Sequence, residues 1–208
     1  MAEILMFRHG PTVWNAEKRM QGRSDISLSE QGMETVRKWH LPNEWMEVPW
    51  YVSPLQRAQQ TAELLGQEKF EIAPLLIEMS WGKWEGQRLP ELRERLGPEM
   101  EEMEALGLDL CPPGGESPRN VQERLKPFLK TIAKAEQSVV AVAHKGILRA
   151  VYAAATSWDM LGKPNEKIRD NCAHLFQVSP TGEISVKTMN ISLLQSTEFF
   201  PRPLNYTP

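Results

Sequence analysis

The sequence lacks the features that mark disulfide-rich, membrane-spanning or nucleic-acid-binding proteins. Two cysteines, Cys111 and Cys172, in 208 residues are too few for a disulfide framework or a cysteine metal site. No apolar run is long enough to span a bilayer, and Met1 to Phe7 has neither the basic region nor the long apolar region of a signal peptide. The net charge of −3 gives no general attraction to nucleic acid or anionic membrane. We therefore expect a cytoplasmic protein with a small-molecule partner.

The composition is that of an ordinary globular domain, with 41% hydrophobic and 25% charged residues. Short apolar runs alternate with helical patterns, which predicts an α/β fold: a three-layer αβα sandwich with a largely parallel central sheet and helices on both faces. The predicted strands are Ile4 to Phe7, Trp50 to Val52, Val139 to Ala143, Cys172 to Val178 and Ile184 to Met189. A length of 208 residues fits a single domain over 1–208.

Helix starts are indicated by capping residues, which are Ser27 with Glu30, Ser53 with Pro54 and Gln56, and Ser117 with Pro118. Pro127 should kink the last of these helices. Residues 88–106 are acidic and helix-prone, so about 79–120 is predicted to be a helical cap insertion. The stretch 192–208 mixes aromatic residues with prolines and is predicted to be an irregular tail.

Charged and imidazole side chains follow three of the predicted strands. Arg8 and His9 follow the first strand, Arg57 lies in the helix after the second, and His144 directly follows the Val139–Ala143 strand. Because ligands bind at the carboxyl ends of strands in open α/β sheets, we expect these groups to meet at one rim. Guanidinium forks and helix N-termini suit a tetrahedral phosphate. The residues alone therefore predict a site for a phosphoryl group.

Five sequence blocks then identify a known family. Arg8 to Asn15 resembles the RHGxTxxN signature of the histidine phosphatase (phosphoglycerate-mutase-like) superfamily. The other blocks are Ser53 to Ala62, Glu78 to Gly86, Pro113 to Ser117 and Ala143 to Arg149. They occur in the family's order and cover residues 4 to about 155, which is far more specific than a lone Arg-His-Gly.

The resemblance implies a role for each matched residue. His9 would attack phosphorus and form a phosphohistidine that water hydrolyses. Arg8, Arg57 and His144 would hold the phosphate oxygens, and Glu78 would protonate the leaving oxygen.

Further positions are implied on the substrate side of the same site. Asn15, Gln21 and Gly22 belong to the loop that lines it in the family. Lys145 replaces a small residue, and it is either a substrate contact or a solvated lysine. Glu85 is interpreted as structural. No cofactor and no metal site is expected, because the histidines lack ligand spacing.

The preferred activity is that of a phosphomonoesterase acting on a small organic phosphate. Mutases of the family carry Arg-His-Tyr after the acid and an arginine pair farther on, whereas Met79-Ser80-Trp81 follows Glu78 here. The alternatives are a cofactor-dependent phosphoglycerate mutase and a phosphometabolite-binding module without turnover. The oligomeric state is open, with a homodimer among the alternatives.

Overall fold

The structure is a computed structural model that describes residues 1–194 and 200–204. Its strands are β1 (Ala2–Arg8), β2 (Trp50–Val52), β3 (Glu71–Ile72), β4 (Val139–Ala143), β5 (Cys172–Val178) and β6 (Ile184–Ser192). They form one sheet in the order β3-β2-β4-β1-β5-β6. The first four strands run parallel, and β5 and β6 form an antiparallel edge. The expected largely parallel sheet is confirmed.

Helices cover both faces of the sheet. In the described part of the chain they are α1 (Val13–Ala16), α2 (Glu30–Val36), α3 (Asn43–Met46), α4 (Gln56–Leu64), α5 (Leu89–Leu96), α6 (Pro98–Glu104), α7 (Pro118–Ala135) and α8 (Lys145–Thr156). Side chains of β1 alternate between two cores, as strand geometry requires. Ile4 and Met6 pack in the core with α7 and α8, and Leu5 and Phe7 pack in the core with α2 and α4. The three-layer arrangement is confirmed.

The segment between β3 and α7 has a small core of its own. Helices α5 and α6 pack against each other, and Trp84, Leu92 and Met100 form a buried apolar cluster that is separate from the two main cores. The 3₁₀ turn Gly107–Asp109 follows these helices. Its Leu108 N–H donates to the carbonyl of Asp159 at 2.9 Å, which joins this segment to the loop after α8.

Helix α2 begins two residues later than the predicted capping pair. The N-cap is Ser29, whose hydroxyl accepts from the Gly32 N–H at 3.0 Å, so the prediction of Ser27 as the cap is wrong. The reason is a long-range contact: Leu28 forms an antiparallel bridge with Thr12, and its N–H donates to the side chain of Gln60. Because the backbone at Leu28 is extended, the helix cap is Ser29 and not Ser27.

Helix α4 also begins later than predicted. Its N-cap is Leu55 rather than Ser53, and it has no side-chain cap of its own. The Asp25 carboxylate supplies that contact from a distant loop and accepts from the Gln56 N–H at 2.8 Å. The hydroxyl of Ser53 bonds instead to His144. This helix N-terminus is therefore already bound to an anionic side chain and does not face an open anion site.

The described part of the C-terminal segment lies at the amino ends of the strands. The N–H of Leu204 donates to the carboxylate of Glu3 at 3.0 Å and to the hydroxyl of Ser138 at 2.7 Å, and the Trp45 indole donates to the carbonyl of Pro201. Residues 200–203 have no regular structure, and Ser192, the first residue of the predicted tail, still belongs to β6. The parts of that tail at 195–199 and 205–208 lie outside the described residues. Helix α7 continues from Pro118 through Pro127 to Ala135. No helix in the described ranges has the length and apolar character to cross a membrane.

Candidate active site

His9 is fixed in one orientation at the carboxyl end of β1. Its backbone N–H extends the pairing of β1 with β4 by donating to the Ala143 carbonyl at 3.0 Å. Its ring Nδ1 lies 2.6 Å from the carbonyl of Gly10. Since a carbonyl can only accept, Nδ1 must carry the proton. A neutral ring then has its lone pair on Nε2.

The surroundings keep this imidazole neutral. Burial holds the pKa of His9 well below the usual histidine value, and the charges of Arg8 and Arg57 lower it further, against an opposing effect of the Gly10 hydrogen bond. The N–H of Gly10 is itself held by the Thr61 hydroxyl at 2.9 Å. A Cβ on Gly10 would lie 2.3 Å from the Val36 side chain, so the turn after His9 requires glycine.

Arg57 lies fully buried beside His9 in the first turn of α4. Its terminal nitrogens donate to the carbonyls of Ser24 at 2.8 Å and Gly22 at 2.7 Å, and its Nε donates to His144 Nδ1 at 3.3 Å. Burial lowers its pKa to about 10, so the guanidinium remains a cation at neutral pH. One N–H on each terminal nitrogen has no partner among the described residues.

His144 lies directly behind these two side chains. Its ring centroid is 5.1 Å from that of His9, so the two imidazoles are brought together as expected. Both of its ring nitrogens are engaged, Nδ1 by Arg57 and Nε2 by the Ser53 hydroxyl at 2.6 Å. Burial, followed by the charges of His9 and Arg57, holds its pKa well below the usual value. A contact with a phosphate oxygen requires that one of these two bonds be exchanged.

Arg8 is at the end of β1, and its neighbours differ from the expectation. One terminal nitrogen forms an ion pair with Asp170 at 2.7 Å, a residue 162 positions away. Its Nε is buried and has no partner among the described residues. Lys145 lies on the other side of Asp170, with 4.0 Å between its Nζ and Oδ2. Arg8 is therefore only partly neutralised.

The carboxyl group of Glu78 lies at the same rim and is held by hydrogen bonds from backbone N–H groups. Its two oxygens accept from the N–H groups of Met79 at 2.8 Å and Gly146 at 3.1 Å. Burial raises its pKa, and these hydrogen bonds and the charges of Arg57 and Arg8 oppose the rise. A Cβ at position 146 would lie 2.5 Å from Oε1. The second helix N-terminus at the rim, that of α8, thus also contacts a carboxyl group.

A network of charged side chains supports the backbone next to Glu78. Arg124 donates to Glu116 at 2.8 and 2.9 Å and to the Ile77 carbonyl at 2.9 Å. Arg23 donates to the Glu78 carbonyl at 3.2 Å and reaches Glu116 at 3.3 Å. The position of the carboxyl is therefore fixed by elements on both sides.

The loop after α1 completes the rim. Asn15 closes a capping box with Thr12. The Thr12 hydroxyl also lies within donating distance of the Gln21 side-chain oxygen, at 3.0 Å. Gly22 has φ +52°, and Glu85 holds the following residues by accepting from the N–H groups at positions 23 and 24 at 3.0 Å each. These contacts agree with the structural interpretation of Glu85.

A single cavity of about 620 Å³ opens above these groups. Of the predicted site residues, His9, Glu78, Arg8, Arg57, Asn15, Gln21, Gly22 and Lys145 line it. His144 does not line it, since it is covered by His9 and Arg57. Apolar side chains also line it, among them Met20, Trp81, Leu89, Leu110 and Leu161.

Several contributors were missed by sequence reasoning. Ser53 was interpreted as a helix cap but orients His144, and Asp170 carried no signal because its partner Arg8 is distant in sequence. Arg149 also lines the cavity. Its spacing of four from Lys145 places both on one helix face, a signal that could have found it.

Comparisons with known proteins identify the class that this fold and site define. A family model of the histidine phosphatase superfamily (branch 1) matches residues 4–192. Phosphoserine phosphatase 1 of Hydrogenobacter thermophilus is 31% identical over 77% of this chain and 79% of that protein. A 2,3-bisphosphoglycerate-dependent phosphoglycerate mutase of Parvibaculum lavamentivorans is 33% identical over 71% and 77%. The chain therefore belongs to the histidine phosphatase superfamily.

A solved structure supports the same conclusion. Mycobacterial glucosyl-3-phosphoglycerate phosphatase superposes with a TM-score of 0.75 at 25% identity, covering 91% of this chain and 99% of that one. The predicted family and the predicted class, a hydrolase acting on phosphoric monoesters, are confirmed. Within residues 1–194 and 200–204, no group of three or more His, Cys, Asp or Glu residues is placed to hold a metal ion.

Proposed function

We propose that the protein hydrolyses small organic phosphomonoesters in two steps, through a phosphohistidine on His9. The observation that carries the proposal is the tautomer imposed on His9. Because Nδ1 donates to the Gly10 carbonyl at 2.6 Å, the nitrogen that remains for attack is Nε2. A lowered pKa keeps that lone pair unprotonated near neutral pH.

In the first step, Nε2 of His9 bonds to phosphorus while the bond from phosphorus to the ester oxygen breaks. Protonated Glu78 gives its proton to the departing oxygen, so that an alcohol leaves and Glu78 becomes a carboxylate. Its raised pKa favours the protonated form that this step needs.

In the second step, a water molecule attacks phosphorus, and the Glu78 carboxylate takes the water's proton. The bond from phosphorus to Nε2 breaks, inorganic phosphate leaves, and the electron pair returns to a neutral His9. Protons and charges therefore balance over one cycle, and the enzyme is regenerated without a cofactor.

The remaining predicted site residues are assigned by their contacts. Arg8 has a buried Nε without a partner among the described residues, and Arg57 has free N–H groups, so both are assigned to the oxygens of the transferred phosphoryl group. His144 orients Arg57 and contacts phosphate if its bond to Ser53 or Arg57 is exchanged. Four residues that line the cavity are assigned to the substrate, namely Asn15, Gln21, Gly22 and Lys145.

The proposal is tested by trapping the intermediate. The enzyme is mixed with an excess of radiolabelled phosphomonoester, quenched in alkali and digested, and the label is located by mass spectrometry. We expect label on the peptide that contains His9, together with release of inorganic phosphate. Phosphate release without any labelled histidine would overturn the two-step route.

A phosphoglycerate mutase is the second candidate, because one of the relatives carries that name. The arginines of the cap segment argue against it. Arg93 is paired with Glu104 at 2.7 Å, while Arg88 and Arg95 bond to Glu91 and Gln87 and do not line the cavity. Incubation with 3-phosphoglycerate and a bisphosphoglycerate primer separates the two activities, since isomer formation without free phosphate would replace the phosphatase assignment.

We further propose that the chain works as one domain, in which residues 79–120 are the cap over the site, and that it acts in the cytoplasm. A homodimer is the assembly to test first. Analytical ultracentrifugation at several protein concentrations distinguishes a dimer from a monomer, and cell fractionation tests the location.

A further inference from the structure

We infer that Arg149 binds a second anionic group of the substrate, a carboxylate on the leaving alcohol. This inference rests on the proposed phosphatase function and narrows it to esters of hydroxy acids. Arg149 lies in α8, one turn after Lys145, and lines the same cavity as His9 and Glu78.

Arg149 is a half-buried cation without an anionic partner. The other arginines of the cavity wall each have a partner within the protein. Arg8 pairs with Asp170, Arg93 with Glu104 and Arg19 with Glu17. Arg57 donates to the carbonyls of Ser24 and Gly22. Within the described residues, no oxygen accepts a hydrogen bond from the Arg149 guanidinium, and burial alone lowers its pKa. A half-buried cation loses part of its hydration, and an anionic ligand would compensate for that loss.

The guanidinium also lies over an aromatic ring. Its central carbon lies 4.9 Å from the ring centroid of Trp158. That ring is fixed in turn by a bond from its Nε1 to the Leu161 carbonyl at 3.2 Å and by an edge contact with Tyr152. This contact positions the guanidinium without using its N–H groups, which remain available for the two oxygens of a carboxylate.

The position on α8 limits the length of the leaving group. The Gly146 N–H contacts Glu78, the proposed acid, at 3.1 Å, and Arg149 follows three residues later, about 4.5 Å along the helix axis. A compact hydroxy acid, with its ester oxygen near Glu78 and its carboxylate one helical turn away, suits this spacing. Met160 and Leu161, which also line the cavity, are apolar and cannot pair with a carboxylate.

The test compares two esters that differ in one group, 3-phosphoglycerate and glycerol 3-phosphate. For the unchanged protein, we expect kcat/KM to favour the carboxylate ester at least tenfold. Arg149→Gln should lower kcat/KM for that ester roughly 10- to 100-fold and reduce the ratio between the two esters towards one. Arg149→Lys, which keeps the charge, should retain part of the preference and guards against a folding defect.

Controls separate the possible failures. Arg37→Gln, at an exposed position outside the cavity, should leave the ratio unchanged. If the unchanged protein hydrolyses p-nitrophenyl phosphate but does not distinguish the two esters, this inference fails while the phosphatase function stands. Failure to hydrolyse any of the three compounds defeats the phosphatase function itself. Loss of the preference in Lys145→Gln but not in Arg149→Gln would assign the carboxylate to Lys145 and overturn the inference.

Discussion

The two ends of the parallel strands each bury a glutamate, and the surroundings of these glutamates are opposite. Glu3, at the amino end of β1, bonds to the ammonium of Lys187 and to the N–H of Leu204 at 3.0 Å. Glu78, at the carboxyl end, accepts two backbone hydrogen bonds and has no ion pair within the described residues. One carboxylate is neutralised by its contacts, and the other can still gain a proton.

This difference separates stability from chemistry within one sheet. At the amino end, the buried charge joins β1, β6 and the C-terminal segment, so its contacts are complete in the folded protein. At the carboxyl end, Arg8 has a buried Nε without a partner in the described ranges, and burial raises the pKa of Glu78. Incomplete contacts of this kind are typical of active sites, because a substrate completes them.

The test with the largest expected effect removes the proposed nucleophile at the carboxyl end of the strands. We expect His9→Ala to lose at least about 10⁴-fold in kcat, together with all phosphohistidine, because no other cavity-lining histidine exists in the described residues. Circular dichroism and the melting temperature should show an intact fold. His40→Ala, at an exposed position, serves as the control, and label retained by His9→Ala would contradict the assignment.

The second test removes the proton donor. Glu78→Gln should lower kcat for alkyl phosphates by about 10²- to 10⁴-fold and affect p-nitrophenyl phosphate far less, because nitrophenolate leaves without a proton. Steady-state kinetics on both substrates measures the difference, with the exposed Glu99→Gln as a matched control. Equal losses on the two substrates would show that Glu78 is not the leaving-group acid.

The third test uses pH to examine a buried histidine between the two ends. Burial lowers the pKa of His174 to about 4, below the unfolded value near 6.5, so acid protonates the unfolded chain first. Its contribution to stability is complete above pH 6.5 and is lost as the pH falls towards 4, by about 3 kcal/mol.

His174→Asn should reduce this acid sensitivity and keep an acceptor for the Asn190 N–H, which now donates to Nδ1 at 3.1 Å. Urea unfolding at several pH values measures the slope. His40→Asn, at an exposed position, should show the same dependence of unfolding free energy on pH as the unchanged protein. An identical slope in His174→Asn would show that the acid sensitivity originates in other groups, such as His9 and His144.

The smallest expected effect lies at the amino end. Glu3→Ala should lower the free energy of unfolding by about 1–3 kcal/mol, because it leaves the Lys187 ammonium without its partner and removes one of the two acceptors of the Leu204 N–H. The kcat/KM should stay within about twofold, since this site lies at the opposite end of the strands. Denaturant unfolding and kinetics measure the two quantities, with exposed Glu183→Ala as the control. A large loss of activity would mean that the two ends are coupled.

Sequence reasoning found the convergence of the site because that convergence follows from topology. Strands β1, β2 and β4 are parallel neighbours, so the residues after them meet at one rim. Local signals located the helix starts less well. Ser29 rather than Ser27 caps α2 because Leu28 pairs with Thr12, and Ser53 bonds to His144 instead of capping α4. Both outcomes depend on contacts that no local pattern contains.

Partners distant in sequence were beyond prediction for the same reason. Asp170 pairs with Arg8 across 162 positions, and Asp25 occupies the N-terminus of α4. Neither carboxylate belongs to a recognised motif, so only the folded chain brings them to the rim.

The absence of a side chain at Gly146 has a consequence for how this scaffold can evolve. Alanine there would place a methyl group 2.5 Å from a carboxyl oxygen of Glu78 and displace the proton donor, while the arginines around His9 would stay in place. This one position would then govern which leaving groups the scaffold can handle, because esters whose alcohol needs a proton would be slowed and those with acidic leaving groups would be spared.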